Sequence, residues 1–197
     1  MKPTSPFFIL LLAVTMTTAA EAHTGIGSTS AFAAGLMHPL TGLDHMLAMV
    51  AVGLWAGMRG GAALWIWPAT FVGVMVIGGV LGMAGVGLPF VEQGILASVL
   101  LLGLAVALAA RPSLGAGALL IGLAALFHGH AHGVEVPANA SGIGYALGFA
   151  VATAALHAAG VGITVLAARF AAPIAVRTAG GLTALAGLVL AVSAGLA

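Results

Sequence analysis

Charged residues and cysteine are scarce in this sequence, and each shortage excludes a class of protein. Of 197 residues, 5% are charged and 62% are hydrophobic, whereas soluble globular chains carry about a quarter charged residues. There is no cysteine, so disulfides and thiolate metal sites are excluded. The five Lys and Arg residues form no run, which excludes a nucleic-acid-binding surface. The composition therefore predicts an integral membrane protein.

Small residues are abundant, and they indicate what kind of membrane protein this is. Thirty glycines suit helices that pack closely in lipid, where backbones approach each other at small side chains. The apolar stretches are continuous and lack the period-two alternation of barrel strands. The predicted fold class is an all-α integral membrane protein.

Residues 1–22 have the features of a cleaved signal peptide. Lys2 supplies a positive start, an apolar stretch of signal length follows, and Ala20-Glu21-Ala22 forms a small-x-small cleavage site. The mature chain would begin at His23, and residues 23–197 would form a single six-helix transmembrane domain. The alternative is an uncleaved anchor that adds a seventh span.

Six apolar stretches follow, each long enough for a bilayer crossing of about 20 residues. The connections between them are short and leave no room for a soluble domain. The predicted spans are 31–57, 62–84, 91–110, 113–133, 141–168 and 174–196.

The positions of the charged residues predict how the chain is oriented in the membrane. With the mature amino terminus outside, the inner connections contain Arg59, Arg111 and Arg169, while the outer connections contain Glu92 and Glu135. This arrangement obeys the positive-inside rule. A cleaved signal requires the same placement, since it delivers the new amino terminus across the membrane. Both termini are therefore expected on the outer side.

The first span contains a cluster of ionisable residues. His38 and His45 are two helical turns apart and share a face of a regular helix, but Asp44 points elsewhere. Asp44 can join them only in an irregular helix, for which Pro39 and Gly42 supply the means. An intramembrane carboxylate costs about 2.5–3.5 kcal/mol on insertion scales, so Asp44 is a functional candidate. The alternative is that it only orients His45.

The fourth span ends in a second cluster. His128, His132 and Glu135 fall within about 60° of one another on a helix, while His130 points to the opposite side. Two imidazoles and a carboxylate on one face suit nickel, cobalt or zinc. The direction of each helix predicts that both clusters occupy the outer half of the membrane.

Three further residues give weaker indications of a role in metal binding. Glu92 could contribute to an acidic vestibule above the clusters, or it could be an ordinary acid at a helix start. His23 could chelate a metal through its amine and imidazole, although an ordinary polar chain end is the simpler interpretation. His157 lies alone in the fifth span and is predicted to be a hydrogen-bonded packing residue.

The motifs His38-Pro-x-x-Gly-x-Asp44-His45 and Phe127-His128-Gly-His-Ala-His132-Gly-x-Glu135 resemble those of the HupE/UreJ family. The resemblance covers nearly the whole mature chain. It implies a small bacterial membrane protein that acts as a nickel or cobalt permease associated with hydrogenase or urease. Together with the orientation predicted from the charges, the expected location is the inner membrane with both termini periplasmic. The metal-handling residues it implies are His38, Asp44, His45, His132 and Glu135, with Glu92 and Phe71 of secondary importance.

The predicted function is a secondary permease that takes up a divalent transition metal from outside and supplies hydrogenase or urease maturation proteins. The protein is predicted not to be an enzyme and not to hold a prosthetic group. One alternative is a membrane-embedded metal-dependent hydrolase, although no serine or further acid accompanies the clusters as an obvious proton-transfer partner. Another is a gas channel or accessory protein that binds no metal.

Overall fold

The computed structural model describes residues 31–136 and 141–196, and apart from turns these are entirely helical. No strand occurs in these two ranges, which confirms the all-helical prediction. The predicted signal peptide and His23 lie outside the described residues. The described chain forms seven helices: α1 (Ala31–Thr41), α2 (Leu43–Arg59), α3 (Ala63–Met83), α4 (Val91–Ala107), α5 (Leu114–Val134), α6 (Gly142–Arg169) and α7 (Pro173–Leu196).

Local sequence explains where several helices begin and end. The hydroxyls of Ser113 and Ser141 each accept a hydrogen bond from a backbone N–H in the first turn of α5 and α6, at 3.2 and 3.3 Å. Such caps satisfy amides that have no partner inside the helix. Helix α4 ends at Ala107 because Ala109 adopts a left-handed conformation with φ 51°. The predicted third span, 91–110, is therefore shorter as a helix than as an apolar stretch.

The first predicted span is broken into two helices. Helices α1 and α2 meet at Gly42 and are bent by 83° relative to each other. Pro39, which has no backbone N–H, lies in the last turn of α1, and Gly42 is extended with φ −89° and ψ 115°. The irregularity predicted at these two residues is confirmed. It redirects the chain between His38 and Asp44.

Four of the described helices are long and apolar enough to cross a membrane, namely α3, α5, α6 and α7. The bent pair α1 and α2 adds a fifth crossing if it forms one span. Helix α4 is apolar but has 17 residues, fewer than the roughly 20 that a straight crossing requires. The count of six spans therefore stays a prediction.

Glycine brings the helix backbones into direct contact. Helix α5 crosses α3 where Gly129 meets the Met75 carbonyl, and α6 crosses α2 where Gly160 meets the Val50 carbonyl. A β carbon at either glycine would collide with the neighbouring backbone. Helices α4 and α7 pack together in the same way at Gly103. These crossings use the close approach that small residues allow between helices in lipid.

The outward faces carry large apolar side chains, as expected of a surface covered by lipid rather than water. Each of the following is at least half exposed: Ile77, Leu119, Leu123, Ile143, Leu147, Val165, Leu182 and Val189.

Candidate metal centre

The bend at Gly42 joins the two predicted clusters into one. It carries His38 of α1 and His45 of α2 to the end of α5, where His132 lies between them. The ring centroids of His38 and His132 are 4.6 Å apart, and those of His45 and His132 are 4.3 Å apart. Sequence reasoning identified both groups of residues; α1 and α2 pack against α6, and their imidazoles meet those of α5, which makes the two groups continuous.

The most exposed part of the cluster combines two imidazoles with a carboxylate. His38 Nε2 lies 3.1 Å from Glu135 Oε2, and His132 Nδ1 lies 3.5 Å from the same oxygen. Each of the three residues offers one ligand atom, and these three atoms all lie within 4.8 Å of one another. Two nitrogen donors and one oxygen donor at this spacing can hold a borderline divalent cation.

Asp44 orients the imidazole of His45. Its Oδ1 lies 2.7 Å from His45 Nδ1 and also accepts the His45 backbone N–H at 2.9 Å. A carboxylate at Nδ1 favours the tautomer that leaves the Nε2 lone pair free, which is the usual arrangement behind a metal-binding histidine. Nε2 of His45 is buried and has no hydrogen-bond partner among the described residues.

Ser98 of α4 likewise orients the imidazole of His128, but through Nε2 and not Nδ1. The Ser98 hydroxyl donates to the Ile95 carbonyl at 2.7 Å, so at 2.9 Å from His128 Nε2 its oxygen acts as the acceptor. His128 Nε2 therefore carries the hydrogen, and Nδ1 keeps a lone pair. Nδ1 is buried and unpartnered within the described structure.

The sequence showed no serine beside the clusters as an obvious proton-transfer partner, yet Ser98 lies against His128 in the structure. Ser98 is the one polar residue beyond the first turn of the apolar helix α4, and that isolation is the signal that could have identified it. Its hydrogen is bonded to the Ile95 carbonyl, so it positions an imidazole and is not set up as a nucleophile.

The cluster contains several buried nitrogens that lack hydrogen bonds. Nε2 of His132 has no hydrogen-bond partner among the described residues, although the imidazole is almost fully buried, and its Nδ1 has only the Glu135 carboxylate at 3.5 Å. An unsatisfied buried polar group is destabilising by about 1–3 kcal/mol. Three such nitrogens, His45 Nε2, His128 Nδ1 and His132 Nε2, lie on neighbouring rings, and their lone pairs can coordinate a cation.

Negative charge surrounds the entrance to this cluster. Asp44, Glu92 and Glu135 line one cavity of about 570 Å³, and no Lys or Arg is among the residues that line it. The imidazoles of His132 and His38 hold the pKa of the Glu135 carboxyl well below its usual range, so it remains an anion. A cavity lined by one sign of charge concentrates the opposite ion.

Aromatic rings from α6 and α3 form the walls of the cluster. The ring centroid of Phe149 lies 4.1 Å from that of His132, and that of Tyr145 lies 5.8 Å from that of His38. Sequence reasoning missed both, although their four-residue spacing places them on one helix face. Phe71 of α3 is fully buried, with its ring centroid 5.8 Å from that of His128.

Two of the six histidines in the described ranges lie outside the cluster. His130 faces away from it, as predicted, and its Nε2 bonds the Val86 carbonyl at 2.7 Å. His157 was predicted to be a hydrogen-bonded packing residue; it packs against Phe71, but the predicted hydrogen bond is not found among the described residues. It is 1% exposed, yet neither of its ring nitrogens has a hydrogen-bond partner among the described residues.

Comparison with known proteins gives one family and one close relative. The family model described as HupE / UreJ protein matches residues 10–190. Protein HupE of Rhizobium leguminosarum bv. viciae is 47% identical over 182 residues, which cover 92% of this chain and 95% of the relative. No solved structure matches the chain.

Proposed function

The chain belongs to the HupE/UreJ family, and from that premise we propose that it is a secondary permease for a divalent transition metal, nickel or cobalt. The observation that carries this proposal is the continuous group of imidazoles with free nitrogens at an acidic cavity. A multi-pass membrane protein with such a group has the donors to take a cation out of water.

Uptake starts on the outer side of the bacterial inner membrane. The cluster lies where α5 ends and α6 begins, whereas Arg59 and Arg111 lie near the opposite ends of α2 and α5. The positive-inside rule assigns the arginine end to the cytoplasm. The cavity lined by Asp44, Glu92 and Glu135 then faces the periplasm, and the termini of the mature chain lie on that side.

The chemistry is ligand exchange. A hydrated cation drawn to the carboxylates loses part of its water shell to His38, His132 and Glu135, and next meets His45 and His128. Imidazole and carboxylate ligands suit nickel, cobalt and zinc alike, so the donor set alone leaves the choice of metal open. We propose nickel or cobalt, and the supply of hydrogenase or urease maturation proteins, because the chain belongs to this family.

Uptake by the purified full chain in proteoliposomes tests this function. We expect wild-type protein to take up nickel or cobalt in preference to zinc and copper, and His132→Ala and Asp44→Ala to abolish uptake. His130→Ala is the matched control, because this buried imidazole lies two residues from His132 and faces away. Full uptake by both cluster variants would exclude the proposal. Equal membrane content of all variants, checked by immunoblot, excludes a failure of insertion.

A further inference from the structure

One face of α6 continues inward from the cluster. Tyr145, Phe149, Thr153 and His157 follow at four-residue steps, and all four are at most 3% exposed. Each step is about 6 Å along the helix axis at 1.5 Å per residue. Tyr145 and Phe149 contact the cluster, so Thr153 and His157 lie progressively deeper in the bundle.

His157 is buried beyond the cluster, on the far side of the Phe71 ring. The ring centroids of Phe71 and His157 are 5.1 Å apart with planes at 84°, and Phe71 also contacts His128. Phe71 therefore contacts the deepest imidazole of the cluster and His157 at once. Both ring nitrogens of His157 are buried without a hydrogen-bond partner in the described ranges.

Thr153, one turn above His157, brings two sulfur atoms together. Its hydroxyl lies 3.4 Å from the sulfur of Met49 and 3.6 Å from the sulfur of Met75. These methionines belong to α2 and α3, so three helices contribute donor atoms at one depth. Both methionines are almost fully buried, at 0% and 3% exposure. Thioether sulfur is a soft ligand that transition metals accept and magnesium or calcium do not.

An ion that leaves the cluster inward needs further donors. An unpaired charge in an apolar interior is destabilised by many kcal/mol, so a cation crosses such a region only by passing between ligands. The buried polar side chains of the described residues are few: Ser98, His128, His130, His132, Thr153, His157 and Thr183. Of these, only Thr153 and His157 continue the cluster-facing side of α6, since Thr183 lies on α7.

We propose that His157, with Thr153, Met49 and Met75, forms a second, inner coordination site for the divalent transition metal. This inference rests on the proposed transport function and extends it to a path with two sites. The inner donors are all uncharged, whereas the outer cluster includes Asp44 and Glu135. The inner site therefore binds the cation more weakly and releases it toward the cytoplasm, and conduction through successive sites requires such moderate binding.

The test compares uptake with binding in the full chain. His157→Leu removes the inner nitrogen donors and leaves the outer cluster unchanged. We expect nickel uptake into proteoliposomes to fall about tenfold or more, the scale of losses at metal sites. Nickel affinity of the purified protein, measured by equilibrium dialysis, should stay at the wild-type value because the outer cluster dominates it. His157→Met, which keeps a donor atom, should retain more uptake than His157→Leu.

A matched pair of threonine variants provides a second measurement if His157→Leu is poorly folded. Thr153→Val should lower nickel uptake, whereas Thr183→Val, at a buried threonine of α7, should not. Both substitutions remove one hydroxyl at nearly constant shape. Equal uptake by the two variants would overturn the inner site.

The outcomes separate the two proposals. Absence of nickel and cobalt uptake by the wild-type chain rejects the transport function, and the inner site with it. Wild-type uptake combined with full uptake by His157→Leu rejects the inner site alone. Parallel loss of uptake and nickel affinity in folded His157→Leu also rejects it, because the two sites would then not be separate.

Discussion

The Ser98 hydroxyl accepts a hydrogen bond from His128 Nε2 at 2.9 Å because its own hydrogen is donated to the Ile95 carbonyl. This relationship sets the tautomer of a buried imidazole from a helix that contributes no imidazole to the cluster. Asp44 has a comparable effect on His45, whose Nδ1 it contacts at 2.7 Å. Two rings of the cluster are thus held with one nitrogen free.

Ser98→Ala should weaken metal binding. Without the hydroxyl, the His128 ring loses the acceptor that keeps hydrogen on Nε2, and such orienting partners change metal affinity by about 10- to 100-fold. Isothermal titration of the purified protein with nickel measures the change. Thr183→Val, which removes a buried hydroxyl on α7, serves as the control. Unchanged affinity in Ser98→Ala would show that the tautomer of His128 is irrelevant to binding.

Gly42→Ala should disturb the Asp44–His45 pair. The backbone of Gly42 is in a region open to alanine, but a β carbon there would lie 3.0 Å from His45 Nδ1 and 3.1 Å from Asp44 Oδ1. We expect uptake to fall about tenfold as the hydrogen bond shifts, the lower end of the losses seen when such partners are disturbed. Gly73→Ala on α3, where a β carbon would meet nothing within 4 Å, is the matched control. Equal uptake by the two variants would contradict the prediction.

Glu92→Gln should raise the metal concentration needed for half-maximal uptake. Glu92 lines the cavity with Asp44 and Glu135, and its charge contributes to the local cation concentration. The defect should be largest at low ionic strength and shrink in about 0.5 M salt, because salt screens exposed charges. Uptake kinetics at two salt concentrations measure this. A defect that is independent of salt would indicate direct ligation by Glu92.

Gly129→Ala should destabilise the bundle. A β carbon at this position would collide with the Met75 backbone, so α5 must move away from α3. Overpacking of this kind costs about 1–3 kcal/mol, which thermal unfolding in detergent detects as a lower midpoint. Gly115→Ala on the same helix meets nothing within 4 Å and should be neutral or stabilising. If the unfolding midpoint of Gly129→Ala is equal to or higher than that of Gly115→Ala, the prediction is wrong.

Much of the outer site was predictable because its signals are local. The spacing of His128, His132 and Glu135 predicts one helical face, and the opposite direction of His130 follows from the same periodicity. Pro39 and Gly42 indicate a break near Asp44 for reasons of backbone chemistry alone. Each of these inferences concerns residues less than three turns apart.

The inner residues were not predictable in this way. Ser98 and Phe149 have no local signal that links them to His128 and His132, which lie 30 and 17 residues away in the sequence. For His157 the sequence predicts a hydrogen bond, because a lone imidazole in an apolar helix usually finds a partner. The described residues supply none. Whether it has one depends on what α2 and α3 present to it, and those helices begin about a hundred residues earlier in the chain.

By itself, the sequence determined that this chain is a helical membrane protein with its ionisable residues in two groups, because composition and helical periodicity are properties of short segments. Only the tertiary structure decided that the two groups form one cluster, and that a face of α6 continues inward from it to His157. Helix α6 crosses α2, and α5 crosses α3, at glycines whose backbones lie in direct contact with the neighbouring helix. These crossings determine which side chains meet. Contacts of that kind depend on the packing of distant helices.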